Sequence, residues 1–250
     1  MIASLMMYAR PELEAAHRRY WALIRAELAA RGIESPETLS NDVDGLTVWN
    51  DSDLVLSQTC GMPYRLWLKD KVTLVGTPDF GLEGCPPGYY RSAIVVRADD
   101  PRKTLADFAQ ALFAYNARYS QSGFASIYNT VSPLGFWFSD KVESGGHVAS
   151  ARMVAQGTAD IAALDAVTWR LIRKYEAFSD KLRVLEWTVP TPGLPYIAAA
   201  EADRDATFAA IKQAIAQLAP SDRTALGIKD LIAIPEADYL AVGNPPEEVV

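Results

Sequence analysis

The stretch from Tyr115 to Asp165 restricts the fold of this chain more than any other, because it reads as a complete strand–turn–helix unit followed by a helix and a strand. It opens YNARYSQSGFASIY, passes through SGGHVASARMVAQG and closes with TADIAALDAV. The first piece predicts a short strand ending at Tyr115–Asn116, a turn on Ser120, Gln121, Ser122 and Gly123, and a helix from about Phe124. Small hydroxyl residues ahead of a helix cap its first unpaired N–H groups. The same N–H groups, at the positive end of the helix dipole, form an anion cradle. The second piece predicts a helix after Gly145–Gly146 with His147 in its opening turn. The third predicts a strand, Asp160 to Leu164, whose carboxyl end delivers Asp165. In this reading Ser120–Gly123, His147 and Asp165 converge on one small ligand. Local roles are the alternative: a plain turn and cap for Ser120–Gly123, a self-capping or solvated ring for His147, and a helix cap for Asp165.

The rest of the chain repeats the same grammar. Ile2–Met7 predicts a buried first strand. Glu12 to Arg31 carries Leu13, Ala16, Tyr20, Ile24 and Leu28 at helical spacing, with Gly32 as its stop and His17 on the polar side. Leu46–Trp49 and Asp53–Ser57 predict strands, Met62–Leu68 a helical turn, and Val72–Thr77 a further strand. This βαββαβ order points to mainly parallel sheets flanked by helices. Tyr89 to Arg97 reads as a central strand, and Thr104 with Asp107 as a capping box. After Asp165 come a helix from Thr168 to Tyr175, a strand Leu182–Trp187 and the Pro-rich return Thr188 to Pro195. Tyr196–Ala200 is then a strand. Asp203 caps a helix, Ser221 starts another, and the tail from Asn244 is loose. The predicted architecture is therefore α/β with two lobes, residues 1–88 plus 190–250 and residues 89–189. The ligand cleft is expected between them, where carboxyl ends of strands and helix N-termini gather.

Composition narrows the function. Among 250 residues the formal charge is -7, which disfavours nucleic acid, since a phosphate backbone demands a basic face. A local cradle still serves a small anion. No apolar run approaches the roughly 18 residues of a membrane span. Ile2–Met7 is too short for the apolar core of an export leader and lacks a basic start. The expectation is thus a mature periplasmic chain or, alternatively, a cytosolic protein. Cys60 and Cys85 allow one disulfide or two unpaired thiols. No metal site and no cofactor is expected: Gly-x-Ser-x-Gly, His-Glu-x-x-His and Cys/His metal spacings do not occur.

With these residues in view, the sequence resembles the phosphate/phosphite/phosphonate-binding proteins of ABC importers, members of the type II periplasmic binding fold. The resemblance rests on Tyr90-x-Ser92 at the entry to the second lobe and the Ser120-x-Ser122-Gly123 turn. It continues through His147, the Ala155-x-Gly157-x-Ala159-Asp160 element and Asp165. It implies that Ser120, Gln121, Ser122 and His147 grip an anionic head group, with Tyr90 and Ser92 assisting and Asp165 meeting a cationic or hydroxyl part of the ligand. Gln121 stands where the family usually has a small hydroxyl residue, so an amide replaces one expected donor. Thr59, at the matching turn of the first lobe, is a candidate from the opposite wall, and Tyr8 and Trp49 candidates for an aromatic wall. The implied partners are a small oxyanion and, after export, the permease subunits, with the protein a monomer. A cytosolic sensor or an enzyme on the same fold is the competing class, and its one hydrolytic arrangement would be Ser122–His147–Asp165.

Overall fold

The computed structural model describes residues 1–249. In chain order the elements are β1 (Ile2–Ser4), α1 (Glu14–Ala29), α2 (Gly45–Trp49), β2 (Leu54–Gln58), a single turn α3 (Gly61–Pro63), β3 (Val72–Asp79), β4 (Tyr89–Tyr90), β5 (Ser92–Arg97) and β6 (Phe113–Tyr115). Then come α4 (Ser126–Val131), β7 (Lys141–Glu143), α5 (His147–Gln156), β8 (Ile161–Asp165), α6 (Ala166–Tyr175), β9 (Leu182–Trp187) and β10 (Thr191–Pro192). The chain finishes with β11 (Tyr196–Ala199), α7 (Arg204–Gln217), α8 (Pro220–Leu226), β12 (Asp230–Ile232) and α9 (Glu236–Leu240).

Two compact units result. Unit 1 is Met1–Tyr89 with Pro192–Leu240, and unit 2 is Tyr90–Thr191 with the residues from Ala241 on. The tail belongs with unit 2 rather than hanging loose. Asn129 Nδ2 donates to Gly243 O at 2.9 Å, and Val249 packs on a unit 2 core cluster.

Unit 1 holds a five-stranded sheet in the order β1-β2-β11-β3-β12. Only β1–β2 is parallel; β11 enters antiparallel to both β2 and β3, and β12 is antiparallel to β3. Helix α7, capped where Asp203 accepts from Ala206 N–H at 3.0 Å, packs beside α1. Arg19 on α1 grips Asp222 on α8 with both forks, at 2.7 and 2.6 Å. His17 departs from the expected polar side. It is 9% exposed, because the segment after α1 folds back over that face.

Unit 2 holds a second sheet, ordered β7-β6-β8-β5-β9. Its strands show period-two burial on two faces. Ile94, Val96, Ile161 and Ala163 face one core cluster; Ala93, Val95, Ala162 and Leu164 face the other. Here β6 is parallel to β7 and β8, whereas β5 is antiparallel to β8 and β9. The mainly parallel sheets expected from the sequence are thus mixed in both units. A strand that arrives from the other unit enters each sheet reversed, and the βα grammar does not reveal that.

Other differences are local. Leu46–Trp49 is helical, not a strand, because Asp44 accepts from Thr47 N–H at 3.2 Å and caps a short turn that outweighs the strand preference of Val48 and Trp49. The first strand stops at Ser4 and gives way to a tight turn at Met6–Tyr8. Strands β7 and β12 and helix α9 are short elements without a periodic signature. Cys60, buried, and Cys85, half-buried, are not joined in a disulfide.

Candidate ligand-binding site

The unit 2 sheet brings the expected residues to one edge. The chain leaves the carboxyl end of β6 and turns through Ser120–Gly123. Strand β8 ends at Asp165, whose register partner on antiparallel β5 is Ser92. His147 is the first residue of α5. The 120–123 turn is buried as a whole rather than turned to solvent.

Ser120 caps the turn: its Oγ accepts from Gly123 N–H at 3.0 Å. The first turn is widened, since Ser120 O accepts from both Phe124 N–H and Ala125 N–H. Phe124 anchors it, its ring edge-on to Tyr115 at 5.1 Å and to Trp137 at 5.3 Å. Gly123 is required by closeness. A Cβ there would lie 1.8 Å from Asn116 Oδ1 and 3.1 Å from His147 Cε1.

Ser122 Oγ and His147 Nε2 are 2.9 Å apart. Burial drives the His147 pKa down to about 4, with the nearby Ala163 backbone opposing it. The ring is therefore neutral at pH 7, and its Nδ1 has no hydrogen-bond partner among the described residues. Among the described residues no carboxylate bonds that Nδ1, so the Ser–His–Asp arrangement lacks this link. Asp165 is instead the cap of α6, its Oδ1 accepting from Val167 N–H at 2.7 Å and Thr168 N–H at 3.0 Å.

Ser92 supports the corner from below. Its Oγ donates to Ser122 O at 2.9 Å, and its own N–H is held by Thr188 Oγ1 at 2.9 Å. Ser126 Oγ donates to the same Ser122 carbonyl at 2.6 Å. Tyr90 is buried on β4. Asn116, Ser126 and Thr188 were not singled out from the sequence. Asn116 and Ser126 flank the turn at short range in the chain, whereas Thr188 comes from the segment after β9, distant in sequence, and carries no such signal.

In unit 1, Thr59 is fully buried just past β2, its N–H on Pro195 O at 3.1 Å. Tyr8 stacks edge-on against Phe80 at 5.1 Å. Trp49 is a core residue: it is 5% exposed and donates Nε1–H to Gln58 O at 3.2 Å, so its indole is committed to packing.

Two α/β units are the pattern of a type II periplasmic binding protein, and structural comparison gives that fold. PhnD1 from Prochlorococcus marinus, solved with methylphosphonate, superposes with a TM-score of 0.70 at 17% identity over 95% of this chain and 93% of its own. A Xanthomonas citri protein bound to ATP gives 0.70 at 14% identity, over 95% and 91%. A binding component of an ABC phosphonate transporter from Pseudomonas aeruginosa gives 0.64 at 15% identity, over 96% and 82%. Comparison with curated protein sequences gives no significant match. The family model for the periplasmic substrate-binding protein of ABC phosphonate transporters matches residues 69–239, and the chain belongs to that family.

Proposed function

We propose that this protein binds a small oxyanion, a phosphonate, phosphite or phosphate, at the Ser120–Gly123 corner of unit 2 and hands it to a membrane permease. The observation that carries the reading is the half-buried Ser122 Oγ–His147 Nε2 pair, 2.9 Å long, at the mouth of a capped turn. A neutral imidazole holds one proton, so this pair has two settings. With Oγ–H donating to Nε2, the serine has no proton to offer. With Nε2–H donating to Oγ, the hydroxyl proton is free for a ligand oxygen. An oxyanion selects the second, and the desolvated O–H then forms a charge-assisted bond.

Ser120 keeps its O–H while its lone pair caps Gly123, so it supplies a second donor. Ser92 and Ser126 act on the Ser122 carbonyl and fix the turn without touching the ligand. Asp165 caps α6 through its Oδ1, and the head group is the main determinant of affinity. Thr59 and Tyr8 of unit 1 remain candidate contacts. The protein works as a periplasmic monomer.

Calorimetry against methylphosphonate, phosphite, phosphate, sulfate and malate tests this. We expect one of the phosphorus oxyanions to bind best, and Ser122→Ala to cost about 1.5–3 kcal/mol of its binding energy. Equal affinity in wild type and Ser122→Ala would move the head group elsewhere.

A further inference from the structure

A second cavity lies wholly within unit 1. After α1 the chain runs along the edge of β1, where Ser40 N–H donates to Ala3 O at 2.8 Å and Asn41 Oδ1 accepts from Leu5 N–H at 2.8 Å. It does not form a strand there, and Thr38 and Leu39 line the space it leaves. The gap left against the helix is a cavity of about 670 Å³, within the size range of small-molecule sites.

Its floor is a ladder on one face of α1. His17, Trp21 and Arg25 follow at intervals of four residues, which spans about 12 Å of helix axis. Trp21 is pinned by its Nε1–H on Pro36 O at 3.3 Å. At the two ends stand unsatisfied polar atoms: His17 Nδ1 and Arg25 Nε are both buried without a hydrogen-bond partner among the described residues. His17 as a whole is 9% exposed. Such atoms are costly to leave unmatched, which is why a native structure rarely tolerates two around one cavity.

The chemistry at the two ends differs. The guanidinium is permanently charged and its Nε–H seeks an anionic acceptor. The imidazole is kept neutral by burial, with its pKa lowered to about 4, so it suits a hydroxyl. The carboxylates that line the cavity, Glu14, Glu37 and Asp42, are on the exposed rim, and Arg10 is neutralised by Glu12 at 2.7 Å. Arg18 also lines the cavity but is exposed and stands 3.9 Å from Glu14, so Arg25 is the lining cation with a buried, unmatched N–H.

We infer that this cavity is a second ligand site that takes a flat aromatic carboxylate bearing a hydroxyl at its far end: the carboxylate on Arg25 Nε, the ring along Trp21 and the hydroxyl on His17 Nδ1. The inference is independent of the oxyanion corner in unit 2.

Para-hydroxybenzoate is the probe, titrated into the full chain by calorimetry beside para-hydroxybenzamide and benzoate. We expect para-hydroxybenzoate to bind saturably. The amide, which lacks the charge, and the Arg25→Met variant should each bind about tenfold more weakly, the loss of one charged hydrogen bond. Benzoate and His17→Phe should show a smaller loss. Should either variant unfold, the His17 Nδ1 nitrogen resonance of the wild-type protein gives the answer by itself, since it must move as para-hydroxybenzoate is added. An unmoved resonance, or equal binding of acid and amide, overturns the site.

Discussion

Two histidines shape how this protein responds to mild acid. His17 and His147 sit in different units, yet burial lowers each to about 4 from an ordinary 6.5. An unfolded chain takes up both protons more readily than the folded one. The share of stability that depends on the two rings is therefore whole above about pH 6.5, falls as the pH drops toward 4, and levels off below. Between pH 7 and about pH 4.5 each ring should remove about 2 kcal/mol from the unfolding free energy, and His17→Phe should flatten its share of that slope in denaturant titrations. Gly123 sets a steric limit at the same scale. Gly123→Ala must displace the Asn116 side chain, whose Oδ1 would lie 1.8 Å from the new carbon, and we expect oxyanion binding to fall by at least about tenfold in calorimetry while the fold survives. The serines, His147 and Asp165 were legible in the sequence because turn and cap chemistry is local. The burial of His17 was not, because it depends on residues 36–42 folding back over a face that helical spacing marks as polar.

Helix α6 shows how one carboxylate can be read two ways. Asp165 at a strand end suits a ligand contact or a cap, and its Oδ1 takes two helix N–H groups. Replacing it with Ala should cost about 0.5–2 kcal/mol of stability, whereas Asn, a comparable cap, should retain it. Thermal unfolding of both variants checks this; ligand affinity lost in the Asn variant at full stability would instead make the carboxylate a binding group. The widened turn before α4 depends on an aromatic anchor. Phe124→Ala removes a ring packed against Phe113, Tyr115 and Trp137 and should cost about 3–5 kcal/mol. Strands β5 and β8 were readable as unbroken apolar runs, which is what a strand covered on both faces must be. Gly45–Trp49 was not, since a single cap by Asp44 reverses what the side chains of that segment prefer.

At the scale of the whole molecule, the two-lobe α/β layout followed from the order of strands and helices, but strand direction did not, because pairing partners lie far apart in the chain. Binding to the native state alone must also stabilise it. With free ligand at a hundredfold its dissociation constant, the expected gain is about 2.7 kcal/mol, and a thermal shift that follows ligand concentration is the check. Strand β11 carries a further consequence. It fills the slot between β2 and β3, and the residues just ahead of it are fastened there by contacts such as Gln58 to Leu194, 136 positions apart. While the nascent chain emerges from the ribosome, the first half of unit 1 has no middle strand and must wait, with two raw sheet edges, until the last quarter of the protein is made. The stretch from Tyr90 to Thr191 has its strands already in hand. Pulse-labelled hydrogen exchange during refolding should accordingly find β5 and β8 amides protected ahead of those in β2 and β3, with the slow phase belonging to the late insertion of one four-residue strand.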